Sequence, residues 1–167
     1  MKHLDLIDKL QQAWQTERPE LDSSAMGIVG RTILLGELMR KSAHAVLADF
    51  GIGYTDLDVL ATLRRSGIPF CLRPADLLKA ILIQSGSLTA CLDRLEGAGL
   101  IERVPTPNDR RSRSVQLTEK GIVLVDKAIT TRFGEAEQFV NSLSSEERSA
   151  LEQLLRKLLL NQSKEEN

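Results

Sequence analysis

The stretch that most constrains this chain is residues 72–121, where helix breakers and caps cut the sequence into short elements in a fixed order. Pro74 suits the first turn of a helix, because the N–H it lacks would have no partner there, and residues 75–80 continue that helix. Leu72, just ahead of it, is placed in a very short strand. Gln84-Ser85-Gly86-Ser87 interrupts, and a second helix is expected over 87–97, stopped by Gly99 as its C-terminal glycine. Leu100 to Val104 is β-permissive, and Pro105-Thr106-Pro107-Asn108-Asp109 reads as a turn. Ser114 to Leu117 alternates polar and apolar, as a half-buried strand does. Helix, turn, helix and hairpin thus follow in order, with further helices expected on both flanks.

Those flanks are visible. Leu4, Ile7, Leu10, Ala13 and Trp14 fall at helical steps, giving an amphipathic first helix to Glu17 that Arg18-Pro19 breaks. A long second helix is expected over 25–48, ended by Gly51-Ile52-Gly53. Thr55 is the expected N-cap of a third, with Asp58 in the capping-box place, running through Arg65. Thr118 caps a helix to about Val140, and Ser144 with Glu147 forms a capping box for the last one. Leu151, Leu154, Leu155, Leu158 and Leu159 give that last helix an apolar face wider than a lone surface helix needs, so a partner is expected on it. The expected fold class is mainly α with a small β-hairpin, divided as 1–53, 54–121 and 122–167.

Several function classes fall away. There is no Gly-rich phosphate loop, no HExxH and no GxSxG, and His3 and His44 are far apart, so neither an enzyme nor a cofactor is expected. Cys71 and Cys91 form no CxxC pair, which offers no metal or disulfide framework and suits a reducing cytoplasm. No apolar run approaches ~18 residues, so no membrane span is expected. Net charge is −1, so any case for nucleic acid must rest on local charge.

Local charge supplies one. Asp109, Arg110, Arg111 and Arg113 crowd the hairpin tip. A planar guanidinium donates several hydrogen bonds at once and suits phosphates or a narrow minor groove, while Asp109 can steady an arginine. A solvated charged turn is the other reading. The second short helix opens with Ser85, Ser87, Leu88 and Thr89, small enough to bring a helix N-terminus close to phosphates and base edges. Plain N-capping is the alternative. Arg94 either reaches a phosphate or pairs with Asp93 or Glu96. Cys91 is read either as a packing residue or as the thiol of a redox-responsive regulator. Use of the module for protein contacts alone is a third possibility, which the arginines oppose.

Asp93-Arg94-Leu95-Glu96 with Gly99-Leu100, then Asp109-Arg110-Arg111, then Leu117-Thr118-Glu119-Lys120-Gly121 stand in an order and spacing that resembles the DNA-binding core of MarR-family regulators. The likeness extends from about Gly30 to Leu160. It implies a winged helix-turn-helix with N- and C-terminal dimerisation helices. It also implies a recognition helix, 87–97, in the major groove and a wing, 104–114, whose Arg111 enters the minor groove beside Asp109. A homodimer would hold a palindromic double-stranded DNA operator, by the family's habit as a repressor. Within the family the sequence is similar to the urate-responsive, PecS-like branch. That likeness implies a ligand site using Trp14 for stacking, Asp58 and Arg103, with His44 as a further candidate whose other reading is structural or solvated. The branch's recognition-helix arginine, which helps hold urate, is matched here by Cys91. A different small aromatic or phenolic effector is therefore expected.

Overall fold

The computed structural model describes residues 4–81, 88–106 and 109–162, with the side chains of 109–111 outside that description. The chain divides into two compact units, Met1–Tyr54 and Thr55–Asn167.

In the first unit, α1 (Leu6–Glu17) lies on α2 (Ser24–Ala48). Asp5 and Asp8 form a reciprocal capping box that starts α1: the Asp8 amide donates to the Asp5 carboxylate at 2.8 Å, and the Asp5 amide to Asp8 at 2.9 Å. Ile7 is the buried residue of α1 and fits over Gly30, where an added Cβ would stand 3.0 Å from its Cδ1. Beside that contact, Arg31 reaches back from α2 to Asp5 at 2.8 Å and Asp8 at 2.5 Å. Gln11 Nε2 donates to the Ser23 carbonyl at 2.8 Å. One small residue, one clamp and one amide thus fix how the two helices cross. Gly51 ends the unit's long helix in a turn at φ 66°, a left-handed conformation that glycine adopts without strain.

The second unit starts with α3 (Tyr54–Arg65). The expected Thr55 N-cap is displaced: the helix begins at Tyr54, so Thr55 and Asp56 belong to its first turn. Val59, Leu60 and Leu63 are fully buried along it. Then follow β1 (Cys71–Leu72), α4 (Pro74–Ala80), α5 (Leu88–Gly97), β2 (Ile101–Thr106) and β3 (Asp109–Leu117). The sheet is antiparallel in the order β1-β3-β2, pairing Leu72 with Val115 and Ile101 with Leu117. Both hairpin strands are longer than the sequence predicts. Pro105 and Thr106 belong to β2, and β3 begins at Asp109, with a ladder irregularity between Pro105 and Thr106. Proline is tolerated because β2 is an edge strand. The hydroxyls of Thr106 and Ser114 hold the two strands together at 2.9 Å.

Helix α6 (Glu119–Phe139) is seated directly on the turn that follows α5. Gly99 takes φ 70°, and Leu100 N–H bonds back to the Leu95 carbonyl at 3.0 Å, a glycine-based stop. Thr118 accepts from the Gly121 amide at 3.0 Å and donates to the Gly99 carbonyl at 2.8 Å, while Lys120 donates to the Ala98 carbonyl at 2.7 Å. A Cβ on Gly121 would lie 2.0 Å from the Leu100 carbonyl oxygen, so only glycine fits. The Leu117–Gly121 motif is therefore the joint between the end of α5 and the start of α6. The last helix, α7 (Ser145–Gln162), has the expected Ser144–Glu147 capping box and buries no residue.

Candidate nucleic-acid interface

Helix α5 has two distinct sides. Cys91, Leu92 and Leu95 are buried, whereas Thr89, Ala90, Asp93 and Arg94 are exposed and Leu88 is half-buried at the helix start. Apolar residues at three- and four-residue steps anchor one stripe, which leaves the opposite face outward. Ser85 and Ser87, predicted at the helix front, lie outside the described residues.

Ion pairs hold α5 toward two different neighbours. Toward α3, Arg94 Nη2 donates to Asp56 Oδ1 at 2.5 Å, and the Cys91 thiol donates to the same oxygen at 3.2 Å. Toward the hairpin, Arg103 on β2 donates to Asp93 at 2.5 Å and to Glu96 at 2.7 Å. These pairings decide between the two readings of Arg94 as a surface pair: it joins neither Asp93 nor Glu96, both of which Arg103 takes, and bonds Asp56 instead. The hydrogen bond to Asp56 holds the Arg94 pKa above its usual value, and the bond to Asp93 does the same for Arg103. Both stay charged at any physiological pH.

Cys91 responds in the opposite sense. Burial first, then its hydrogen bond to Asp56, pushes its thiol up to about 12. The thiolate is the nucleophile in cysteine chemistry, so this environment opposes a redox switch at Cys91.

Asp56 is the residue that sequence reasoning missed. Its side chain is 7% exposed. The signal was available: Asp56 stands four residues before Leu60 and seven before Leu63, on the apolar stripe of α3. A carboxylate on a buried stripe needs a cation or several donors. Asp58, singled out instead, is also buried, and its carbonyl accepts from the Thr62 hydroxyl at 2.6 Å.

On the hairpin, Arg113 is exposed and stands opposite Pro105. Asp109, Arg110 and Arg111 open β3, with their side chains outside the described residues. Of the other candidate ligand residues, Trp14 on α1 and His44 on α2 are exposed and belong to the first unit, while Asp58 and Arg103 belong to the second. No helix among the described residues is long and apolar enough to cross a membrane.

A short helix with an exposed polar face, backed by a three-stranded sheet whose hairpin carries arginine, defines a winged helix-turn-helix. The MarR family model matches residues 52–112. The HTH-type transcriptional regulator PecS of Dickeya dadantii (strain 3937) is 34% identical over 154 residues, covering 92% of each chain. The chain belongs to the MarR family, and the extent of the PecS match supports its place on the PecS-like branch. It is a DNA-binding transcriptional regulator rather than an enzyme. Among solved structures, a MarR mutant from Escherichia coli complexed with operator DNA is 26% identical, with a TM-score of 0.68, over 93% of this chain and 99% of that one. BpsR of Bordetella bronchiseptica, whose DNA binding is regulated by 6-hydroxynicotinic acid, is 25% identical, with a TM-score of 0.68, over 83% of this chain and 95% of BpsR.

Proposed function

We propose that this regulator works as a homodimeric repressor in the cytoplasm, gripping a palindromic operator and releasing it when a small aromatic or phenolic effector binds. The observation that carries the reading is the outward face of α5, where Thr89 and Arg94 stand exposed above a buried Cys91–Leu92–Leu95 stripe. In the proposed complex, residues 87–97 enter the major groove. Ser85, Ser87, Leu88 and Thr89 line the helix front, and Arg94 meets a phosphate. The wing, 104–114, enters the minor groove through Arg111, with Arg110 and Arg113 on flanking phosphates and Asp109 orienting the arginines. The helices before residue 54 and after residue 121 supply the dimer contacts, which spaces the half-sites by about one helical turn.

The effector reading takes its candidates from each unit separately: the exposed Trp14 indole, for stacking, and His44 in the first, and Asp58 and Arg103 in the second. Regulation of BpsR by an aromatic acid supports this choice of ligand class. The test begins with an operator recovered by DNA pull-down from genomic fragments. Operator affinity should fall steeply as salt rises, as phosphate neutralisation requires. Arg111→Ala should weaken it, and an unchanged affinity would remove the wing from the interface. Thermal-shift screening with planar aromatic acids and phenols tests the effector, and absence of stabilisation by any of them would discard it.

A further inference from the structure

We propose that Asp56 is a positioning residue for DNA binding: its buried carboxylate holds one arm of the Arg94 guanidinium so that the rest of that group faces outward toward a backbone phosphate. The inference rests on the reading of Arg94 as a phosphate contact. Its basis is a contrast within one ion pair. The Asp56 side chain is 7% exposed, yet that of Arg94 is 58% exposed. A pair made only for the core would bury both partners, and one made only on the surface would expose both. Here a fixed anion below supports a cation above.

An arginine can do this and a lysine cannot. The guanidinium is a rigid planar fork, so a bond at Nη2 sets the direction of its remaining donors. Free in solvent, the long side chain would surrender rotamer freedom on binding. Held by Asp56, much of that freedom is already gone before DNA arrives, which lowers the cost of binding. The Cys91 thiol, donating to the same Oδ1 at 3.2 Å, helps fix the carboxylate from the buried side. Asp56 is in the first turn of α3 and Arg94 in the last turn of α5, so the pair also ties the two helices together at that point.

The sign of the effect makes the idea testable. Removing a carboxylate near a polyanion should by itself strengthen DNA binding. Positioning predicts the opposite. Operator affinity would be measured by fluorescence anisotropy across a salt series for the wild type, Arg94→Ala, Asp56→Asn, the double variant and Arg94→Lys. Arg94→Ala should bind roughly tenfold more weakly, with the slope of log K against log salt lowered by about 0.9 for each phosphate no longer neutralised. Asp56→Asn should weaken binding in the same direction and lower the slope as well. The double variant should be no worse than Arg94→Ala, because both changes remove the same phosphate interaction. Arg94→Lys keeps the charge without the fork and should bind several-fold more weakly. Thermal unfolding of each variant separates these effects from loss of fold.

Asp56→Asn binding as tightly as wild type, or adding its full effect on top of Arg94→Ala, would overturn the proposal. So would Arg94→Lys at full affinity, which remains readable if Asp56→Asn does not fold. If Arg94→Ala keeps wild-type affinity and slope while Arg111→Ala does not, the phosphate role of Arg94 fails and the wing reading survives.

Discussion

Single residues here owe their behaviour to neighbours that are distant in sequence. Cys91 illustrates this. Arg94, three residues on, pulls its pKa down, but folding encloses the thiol and adds the Asp56 carboxylate 3.2 Å from its sulfur, and these outweigh it. With its pKa near 12, almost no thiolate exists at pH 8. Native protein treated with iodoacetamide at that pH should therefore be alkylated at half-buried Cys71 and remain unmodified at Cys91, with both labelled after unfolding; peptide mass spectrometry reads the difference. Early labelling of Cys91 would reopen the thiol-switch reading. At this scale the sequence was partly legible. The polar residues of α5 and the wing arginines stand out by type and order. Their partners do not, because Arg103 finds Asp93 and Glu96 only once β2 folds back beside α5.

Elements were easier to read where local chemistry alone decides them. Thr118, Gly99 and the Ser144–Glu147 box set helix ends by short-range hydrogen bonds, and each is found where the sequence puts it. The hairpin was harder. Its outer rungs carry arginine, serine and proline, which show no apolar alternation, so the ladder outruns the pattern. Gly121 also has a meaning that sequence position alone did not convey. Gly121→Ala would drive a methyl into the Leu100 carbonyl, so α6 or the end of α5 must move. The expected cost is about 2–4 kcal/mol, seen as a lower Tm together with weakened operator binding.

The start of helix α1 makes its stability depend on pH. The Asp8 backbone amide first, and Arg31 second, hold the Asp5 pKa below its ordinary 3.8. A depressed carboxylate contributes stability that is complete above the unfolded value and is lost as pH falls through the folded one. Acidification from pH 6 to below 3.8 should therefore lower the protection of the α1 amides, measured as their hydrogen exchange relative to the unfolded chain at the same pH. Arg31→Ala should lower that protection at pH 6 and flatten this pH response. Equal pH dependence in both proteins would show that the clamp does not hold α1.

For the whole molecule, the informative surface is α7. Leu151, Leu154, Leu155, Leu158 and Leu159 are all more than 40% exposed, and the helix buries none of its residues. A single exposed leucine is ordinary, but a row of them along one helix costs too much hydration free energy to stay open to water. The leucine spacing was legible in the sequence; what covers it was not, since a repeating apolar face is equally suited to a core or to a second subunit. The proposed dimer makes a definite claim here. Leu154→Glu with Leu158→Glu places charges in the middle of the row, where a partner helix would have to desolvate them. The variant should sediment as a monomer while keeping the helical circular dichroism of the wild type, because no buried core residue has been touched. Each monomer would then hold one half-site alone. Without the second, tethered half-site, operator affinity should fall on the order of 10²-fold or more, and the salt slope should drop to about half, since only half the phosphates are neutralised together. A charged α7 that still yields a dimer of full affinity would remove α7 from the interface and leave the N-terminal helices to hold it, where Ile28, Val29 and Ile33 of α2 offer the other exposed apolar surface.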